Sequence, residues 1–230
     1  MTLDEYNKKE EERFKTAVSW LEKGVEIADL RSVFIGSDVQ LEEGVYLGPC
    51  VTLEGHTVIH RGAKIFQNTR IVDSEIGPDV TVQSSVILES SVGEGTNVGP
   101  FAYIRPNSHI GKHCKVGDFV EVKNSNFGDG SKSAHLTYIG DADVGKGVNL
   151  GCGVVFVNYD GKEKHRSTVG DHVFVGCNAN LVSPVTVGDG SYIAAGSTIT
   201  EDVPEDALGI ARERQTNKEG WASKRGLFKK

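Results

Sequence analysis

The chain has 230 residues, of which only 38% are hydrophobic and 28 are glycine. This composition favours a repetitive, turn-rich fold over a layered α/β domain. The formal net charge of −7 argues against general nucleic-acid binding, because a surface that follows phosphates needs a large basic excess.

Membrane and metal binding are not expected either. No apolar run approaches the roughly 18 residues of a membrane span, and the N-terminus Met-Thr-Leu-Asp-Glu is too acidic to begin a signal peptide. We therefore expect a cytoplasmic protein. The cysteines lack CxxC pairing and the Cys/His spacings of a zinc site, so they are interpreted as small residues in a reducing compartment: Cys50, Cys114, Cys152 and Cys177.

The N-terminal segment predicts a helix from residue 4 to about residue 23. Phe14, Ala17, Val18 and Leu21 share one face, and Gly24 provides a stop. We assign residues 1–30 as a helical cap over the open end of the repeats that follow, since a stacked array must cover its terminal coil. The alternative is an arm that leads to another domain.

From Ile35 the sequence repeats every six residues. The first positions are aliphatic and the fifth are small or β-branched, a period typical of a parallel β-helix. The first positions begin Ile35, Leu41, Leu47, Leu53, Ile59, Ile65 and Ile71, and the array resumes later as Val169, Val175, Leu181, Val187, Ile193 and Ile199. We predict an all-β fold with about nine coils over residues 31–204, followed by a tail over residues 205–230 that is basic from residue 218.

Three irregularities accompany the hexads. Glycine is frequent at the second position, where we expect corners that need an unusual φ angle: Gly36, Gly48, Gly77, Gly93, Gly99, Gly111 and Gly117. The phase slips by one residue at several places, which a corner can absorb. Thirteen residues separate Phe156 from Val169 where six are needed, so about seven form a loop that contains Lys162, Lys164, His165 and Arg166.

Two cations lie eighteen residues apart, which is three hexads. Arg105 and Lys123 each follow an aliphatic first position, so they should stack on successive coils at about 4.8 Å. Two unpaired positive charges at that spacing repel by roughly 1–3 kcal/mol, which suggests an anion between them. The same edge should then receive Tyr138 and Gly140, and one coil later Asn158 and Tyr159. A column of this kind suits a sugar phosphate; the alternative is a solvated charged edge.

His135 is a candidate general base, since an imidazole can accept a proton from a substrate amine or hydroxyl near neutral pH. Its position in the hexad places it at a different corner from Arg105, with Asn149 expected one coil above. The alternative is a histidine with a structural or surface role.

Four segments resemble a known enzyme family. They are His135-Leu-Thr-Tyr-Ile-Gly-Asp-Ala142, Asn158-Tyr-Asp-Gly161, Gly170-Asp-His-Val-Phe-Val-Gly176 and Gln215-Thr-Asn-Lys-Glu-Gly-Trp221. The chain resembles, over nearly its whole length, the acetyltransferase half of the bifunctional N-acetylglucosamine-1-phosphate uridyltransferase/glucosamine-1-phosphate N-acetyltransferases. Other hexapeptide-repeat proteins share the hexads but not these segments.

The resemblance implies a left-handed parallel β-helix, assembled as a homotrimer. Because His135 and the Arg105 column stand at different corners of one prism, we expect the sites to be shared between chains. It implies transfer of acetyl from acetyl-CoA to the 2-amino group of glucosamine 1-phosphate for UDP-N-acetylglucosamine biosynthesis, with no metal needed. His135 corresponds to the general base. The sugar-phosphate contacts would be Arg105, Lys123, Tyr138, Asn149 and Lys164. The acetyl-CoA contacts would be Cys152, Asn158, Tyr159, Cys177, Ala195 and Arg212.

The sequence departs from this family in three respects. Cys152 and Cys177 stand where small channel residues are usual, and Ala134 precedes the base where glycine is usual. No Gly-rich nucleotidyltransferase loop occurs, so we expect no uridyl transfer from a chain that is either free-standing or truncated.

Two other functions stay open from the sequence, and a third is disfavoured. A hexapeptide acyltransferase could use another phosphorylated amino sugar or nucleotide sugar as acceptor. A non-catalytic β-helix could serve oligomerisation or regulation. A metal enzyme similar to the γ-type carbonic anhydrases would need three converging histidines, and the spacing of His109 and His113 does not provide them.

Overall fold

The computed structural model describes residues 1–227, most of which form short parallel strands stacked as a three-sided prism. The three sheets contain 11, 10 and 9 strands, and each strand pairs with its counterpart one coil later. This arrangement confirms the parallel β-helix of hexapeptide repeats and is consistent with the left-handed form. There are about ten coils rather than the predicted nine.

Each coil passes through sheets A, B and C in turn, so the prism has AB, BC and CA corners. Sheet A comprises Glu26–Ile27, Tyr46–Leu47, Lys64–Ile65, Thr81–Val82, Asn97–Val98, Lys115–Asp118, Lys132–His135, Asn149–Leu150, Phe174–Val175, Tyr192–Ile193 and Leu208–Gly209. Sheet B comprises Phe34–Ile35, Thr52–Glu54, Arg70–Val72, Val86–Leu88, Tyr103–Ile104, Glu121–Lys123, Tyr138–Gly140, Val155–Val157, Asn180–Val182 and Thr198–Ile199. Sheet C comprises Gln40–Leu41, Val58–Ile59, Glu75–Ile76, Ser91–Val92, His109–Ile110, Asn126–Phe127, Ala142–Val144, Ser167–Val169 and Thr186–Val187.

The aliphatic first positions form the core, as predicted. In sheet A, Leu47 pairs with Ile65 and Val82 pairs with Val98, and all four side chains are buried. Because like positions stack on like positions, each coil adds the same apolar surface to a continuous ladder, and burial of that surface stabilises the prism.

The second-position glycines are needed for a different reason from the one predicted. Of those named, only Gly99 has a positive φ, of 99°. A Cβ at Gly48 would lie 2.8 Å from the backbone nitrogen of Gln67, and one at Gly117 would lie 2.0 Å from the carbonyl oxygen of Ala134. Close approach of the next coil therefore selects glycine at these positions, and the prediction of unusual φ angles was wrong.

Helix α1 (Leu3–Glu22) begins with a capping box between Thr2 and Glu5. The helix buries Ala17, and Arg13 Nη1 donates a hydrogen bond of 3.0 Å to the carbonyl oxygen of Val33 in the first coil. It therefore lies against the first coil, in the place expected of a cap.

The coils extend beyond both boundaries set from the hexads. Glu26–Ile27 pairs with Tyr46–Leu47, and Leu208–Gly209 pairs with Tyr192–Ile193. The boundaries at residues 31 and 204 were therefore too narrow, because backbone pairing continues where the six-residue pattern has stopped. Helix α2 (Trp221–Lys224) lies in the tail, and the final basic residues Lys229 and Lys230 lie outside the described residues.

Neither of the helices in the described part of the chain is both long and apolar enough to cross a membrane.

Candidate functional site

Arg105 and Lys123 occupy the same position of successive coils at the BC corner, since their preceding residues Ile104 and Val122 are paired. Neither cation is unpaired. Arg105 Nη1 lies 2.7 Å from Glu121 Oε1, and Lys123 Nζ lies 3.3 Å from Asp141 Oδ2. The assumption that the two charges are unpaired was wrong, because each has a carboxylate from a neighbouring position that the hexad spacing does not reveal. An anion bound between the two cations stays a prediction.

Lys164, from the loop that leaves the prism after Phe156, nevertheless joins these two cations. Its exposed ammonium lies close to that of Lys123, and this like charge holds the pKa of Lys164 below its ordinary value, with Arg105 lowering it further. The carboxylate of Asp141, with Oδ2 3.3 Å from Lys123 Nζ, favours the charged form of Lys123. Three cations with two carboxylates make a corner that retains positive charge for an anionic ligand.

Asp141 is the buried centre of this corner, with 6% of its surface exposed. It accepts hydrogen bonds from Asn124 Nδ2 at 2.6 Å, Asn158 Nδ2 at 2.5 Å and the ammonium of Lys123. Burial by itself would raise the pKa of Asp141, but these donors outweigh burial and the pKa lies below its ordinary value. The carboxylate therefore remains charged and fixes both a cation and an amide.

Tyr138 and Asn158 lie together beside Asp141. Asn158 Nδ2 is 3.4 Å from Tyr138 Oη, and the Tyr138 ring crosses Gly140, where a Cβ would lie 2.3 Å from the phenol oxygen. Because a carboxylate only accepts hydrogen bonds, Asp141 directs the NH₂ group of Asn158 towards itself. The carbonyl oxygen of that amide is left for other donors.

The loop formed by residues 158–166 is an ordered hairpin. Tyr159 bridges to Lys164, and Asp160 Oδ1 accepts hydrogen bonds of 2.7 Å from the backbone nitrogens of Lys162 and Glu163. Asp160 Oδ2 also lies 2.7 Å from His165 Nε2.

Arg166 ties the end of the hairpin to the prism through Asp143, at 2.5 and 2.6 Å. Polar groups hold the loop where apolar ones are lacking, and this fixes the position of Lys164 next to Lys123.

His135 lies at the AB corner, as predicted, and sequence reasoning missed its partner. Asp118 is its register neighbour in sheet A, and His135 Nδ1 lies 2.5 Å from Asp118 Oδ1. This hydrogen bond lowers the pKa of Asp118. Since the carboxylate accepts from Nδ1–H, the lone pair of Nε2 is free in the neutral ring, which is 54% exposed at its side chain.

The residue one coil above His135 is Cys152 and not Asn149. Ser133 pairs with Leu150, so counting two residues on aligns His135 with Cys152, whereas Asn149 pairs with Lys132 on sheet A. A full coil at this place has 17 residues, whereas Asn149 lies only 14 residues after His135, so the expectation for Asn149 was wrong.

The position of His135 continues upward as a column on the AB corner. Successive pairs Leu150–Val175, Val175–Ile193 and Ile193–Gly209 set the register. Counting two residues on in each strand gives Cys152, Cys177, Ala195 and Ala211 in this AB column. Arg212 follows, with its stem beside Gly196.

The predicted site residues therefore form two groups on one chain. The BC group contains Arg105, Lys123, Tyr138, Asn158, Tyr159 and Lys164; the AB group contains His135, Asn149, Cys152, Cys177, Ala195 and Arg212. Sheet B separates the two groups, and the five residue steps from His135 to Gly140 span up to about 16 Å at about 3.3 Å each. One chain does not bring the groups into contact.

The donors for a metal do not converge either. Within residues 1–227, no three histidine, cysteine, aspartate or glutamate side chains lie close enough together to hold an ion. His109 Nδ1 lies 2.9 Å from Ser91 Oγ on sheet C.

Comparison with known proteins identifies relatives. Residues 89–124 and 166–201 match the family described as bacterial transferase hexapeptide (six repeats). The bifunctional protein GlmU of Clostridium beijerinckii is 57% identical over 209 residues, which cover 91% of this chain and 46% of that protein. GlmU of Clostridium acetobutylicum is 58% identical with the same coverage. The chain thus spans about half the length of the curated relatives it matches.

Two solved structures share the fold. The UDP-N-acetylglucosamine acyltransferase of Arabidopsis has a TM-score of 0.62 at 18% identity, covering 85% of this chain and 76% of that one. The corresponding enzyme of Francisella novicida has a TM-score of 0.54 at 17% identity, covering 80% and 66%. At these identities the similarity concerns the fold alone.

The first prediction concerns Asp141. Its lowered pKa means that its contribution to stability is complete above the ordinary carboxyl value of 3.8 and is lost as the pH falls through the lower folded-state pKa. Asp141→Asn should lower the free energy of unfolding by about 1–3 kcal/mol at pH 7. Asparagine tolerates the positive φ of 50° at this position.

Urea unfolding of both proteins at pH 7 and in the acid range provides the measurement. The difference in unfolding free energy between wild type and variant should narrow on acidification, because protonation removes the charge of Asp141 in the wild type. The other carboxylates titrate in both proteins and cancel in the difference. A constant difference would mean that the charge of Asp141 is not what stabilises the corner.

Proposed function

The chain is a hexapeptide-repeat protein homologous to one half of GlmU, and from this relationship we propose that it is an acetyl-CoA-dependent N-acetyltransferase. The acceptor is glucosamine 1-phosphate, acetylated on its 2-amino group to give N-acetylglucosamine 1-phosphate for UDP-N-acetylglucosamine biosynthesis. Such an enzyme would work in the cytoplasm. The observation that carries the proposal is the convergence of Arg105, Lys123 and Lys164 on one corner, since three cations suit a phosphate monoester.

His135 is the general base in this proposal. The amine nitrogen attacks the thioester carbon, the C–S bond breaks, and the proton passes from nitrogen to Nε2 and then to the sulfur of CoA. The Asp118 carboxylate, 2.5 Å from Nδ1, holds the proton on that nitrogen and stabilises the imidazolium that forms. No step requires a metal ion.

Asn158 and Tyr159 would lie by the acetyl group, and the AB column would contact the rest of acetyl-CoA. The small side chains of Cys152, Cys177 and Ala195 leave room for a ligand along this edge. Arg212 at the end of the column offers a cation to the phosphates of CoA.

The active unit is a homotrimer in which the AB group of one chain meets the BC group of a neighbour. An exposed apolar column stands at the AB corner, one residue after the position of Asp118 and His135. Its side chains are Phe101 at 59%, Phe119 at 57% and Leu136 at 57% exposure. The Phe101 and Phe119 rings stack at 5.6 Å. All three residues have positive φ, a conformation that costs about 1–3 kcal/mol each for a bulky side chain. Closed cyclic assembly would cover this surface and bring His135 to another chain's cations.

Replacement of the proposed base tests the chemistry. His135→Ala should lower kcat by about 100-fold or more, the usual contribution of a general base. Asp118→Asn should lower kcat by a smaller factor and move the pH profile, because the amide can favour the wrong imidazole tautomer. A CoA-thiol release assay gives the rates, and circular dichroism checks the fold. Full activity in a folded His135→Ala protein would remove His135 from the mechanism.

Replacement of Lys123 tests the acceptor site. Lys123→Ala should raise KM for glucosamine 1-phosphate far more than KM for acetyl-CoA, and the exposed Lys132→Ala on sheet A is the matched control. The variant should also lose about 1–3 kcal/mol of stability, since Asp141 is left buried without its cation. Assays with glucosamine and with glucosamine 1-phosphate show whether the phosphate is what the corner recognises. An increase confined to KM for acetyl-CoA would assign the corner to the wrong substrate.

Mixed assemblies test the shared site. His135→Ala chains and Lys164→Ala chains should regain part of the lost activity when their subunits exchange, because a mixed interface can join an intact AB group to an intact BC group. Mass analysis of differently tagged chains confirms that exchange has occurred. No recovery in an exchanged sample would confine each site to a single chain.

A further inference from the structure

Cys152 and Cys177 are free thiols on adjacent coils of the AB column. The backbone fixes this alignment on both sides, because Gly151 N donates to Val175 O at 2.8 Å and Asn178 N donates to Cys152 O at 2.8 Å. The two residues are thus register neighbours, 25 positions apart in sequence and one strand spacing apart in space.

This spacing suits a disulfide. Neighbouring strands place aligned residues about 4.8 Å apart, and disulfides join Cα atoms separated by about 4.4–6.8 Å. Side chains at the same position of successive coils leave the prism in the same direction. Cys177 is exposed and Cys152 is half-buried, so a small oxidant can reach the pair.

The other two cysteines lack this arrangement. Cys50 is exposed at the AB corner, but its register neighbour is Asn68, three residues on from the Leu47–Ile65 pair. Cys114 is buried, and burial raises the pKa of its thiol, which suppresses the reactive thiolate. Of the cysteines in this chain, only Cys152 and Cys177 combine access with an adjacent thiol.

We propose that Cys152 and Cys177 form a reversible thiol–disulfide pair that reacts with small-molecule disulfides. The thiolate of Cys177 attacks the disulfide RSSR, forms a mixed disulfide and releases one RSH. The thiolate of Cys152 then attacks the sulfur of Cys177 and releases the second RSH. In sum, two protein thiols and RSSR give one protein disulfide and two RSH, so RSSR is the oxidant.

The consequence for activity rests on the proposed function. Both thiols lie in the same column as His135, along the edge assigned to acetyl-CoA, so joining them changes the width and polarity of that edge. Oxidation should therefore weaken acetyl-CoA binding and leave the acceptor corner intact. Disulfides in reducing compartments are usually transient and redox-sensing, which suits a pair this accessible.

The experiment treats the full chain with oxidised glutathione and measures intact mass, followed by peptide mapping. The expected product has lost two hydrogens and links the Cys152 peptide to the Cys177 peptide. Cys50→Ala, the matched control at the same corner, should form the same link. Cys152→Ala and Cys177→Ala should each stop at a glutathione adduct on the remaining thiol. A wild-type product that carries only adducts overturns the pair.

Activity is measured on the same samples, each relative to its own untreated control. The oxidised protein should show kcat/KM for acetyl-CoA reduced by about tenfold, equivalent to ~1.4 kcal/mol, with recovery after dithiothreitol. A mapped disulfide with unchanged kcat/KM overturns the effect on acetyl-CoA. If the reduced protein shows no acetyl transfer, the proposed function fails, whereas the mass result still decides whether the pair exists.

Discussion

The spacing between coils is the constraint on which the rest of this structure depends. Backbone hydrogen bonds hold successive coils about 4.8 Å apart, and every residue therefore lies beside its counterparts above and below. Apolar positions gain from this repetition because like side chains stack into a ladder. Close packing of the backbone has its own cost, since positions such as Gly117 admit no Cβ.

Stacking of like positions brings like charges together, and these charges repel one another. The BC corner shows how the chain reduces this repulsion. Arg105 and Lys123 stack directly, but Glu121 and Asp141 are placed between and beside them, so each cation has its own anion. The neutralisation of charge at this corner is incomplete, because Lys164 from the hairpin adds a third cation to the two carboxylates. The resulting corner keeps a net positive charge, which favours an anionic ligand.

The fold could be predicted from the sequence because its signal is periodic and long. The hexads indicated the prism, the inward face and the place of the loop, but not the ends of the array or the reason for the second-position glycines. The site was harder, because its partners are related by register and not by motif. Asp118 and Asp141 each lie 17 residues from a partner, one slipped coil away, and the regular six-residue count passes over them. A residue count that includes each one-residue slip at the BC corner would have placed Asp118 beside His135 and Asp141 beside Asn158. The hairpin contacts of Asp160 and Arg166 depend on where a non-repeating segment folds, and no periodicity encodes that.

The one-coil reach of each contact also makes the prism modular. Coils interact chiefly with their immediate neighbours, so the array behaves as a one-dimensional stack whose stability is a sum of local terms. The site groups occupy the coils from Arg105 to Arg212, whereas the coils between α1 and residue 100 contribute length without contributing a proposed functional group. Evolution can therefore lengthen or shorten that lower part in whole-coil steps, changing the distance between the N-terminal segment and the proposed site while the coils that carry this site keep their geometry.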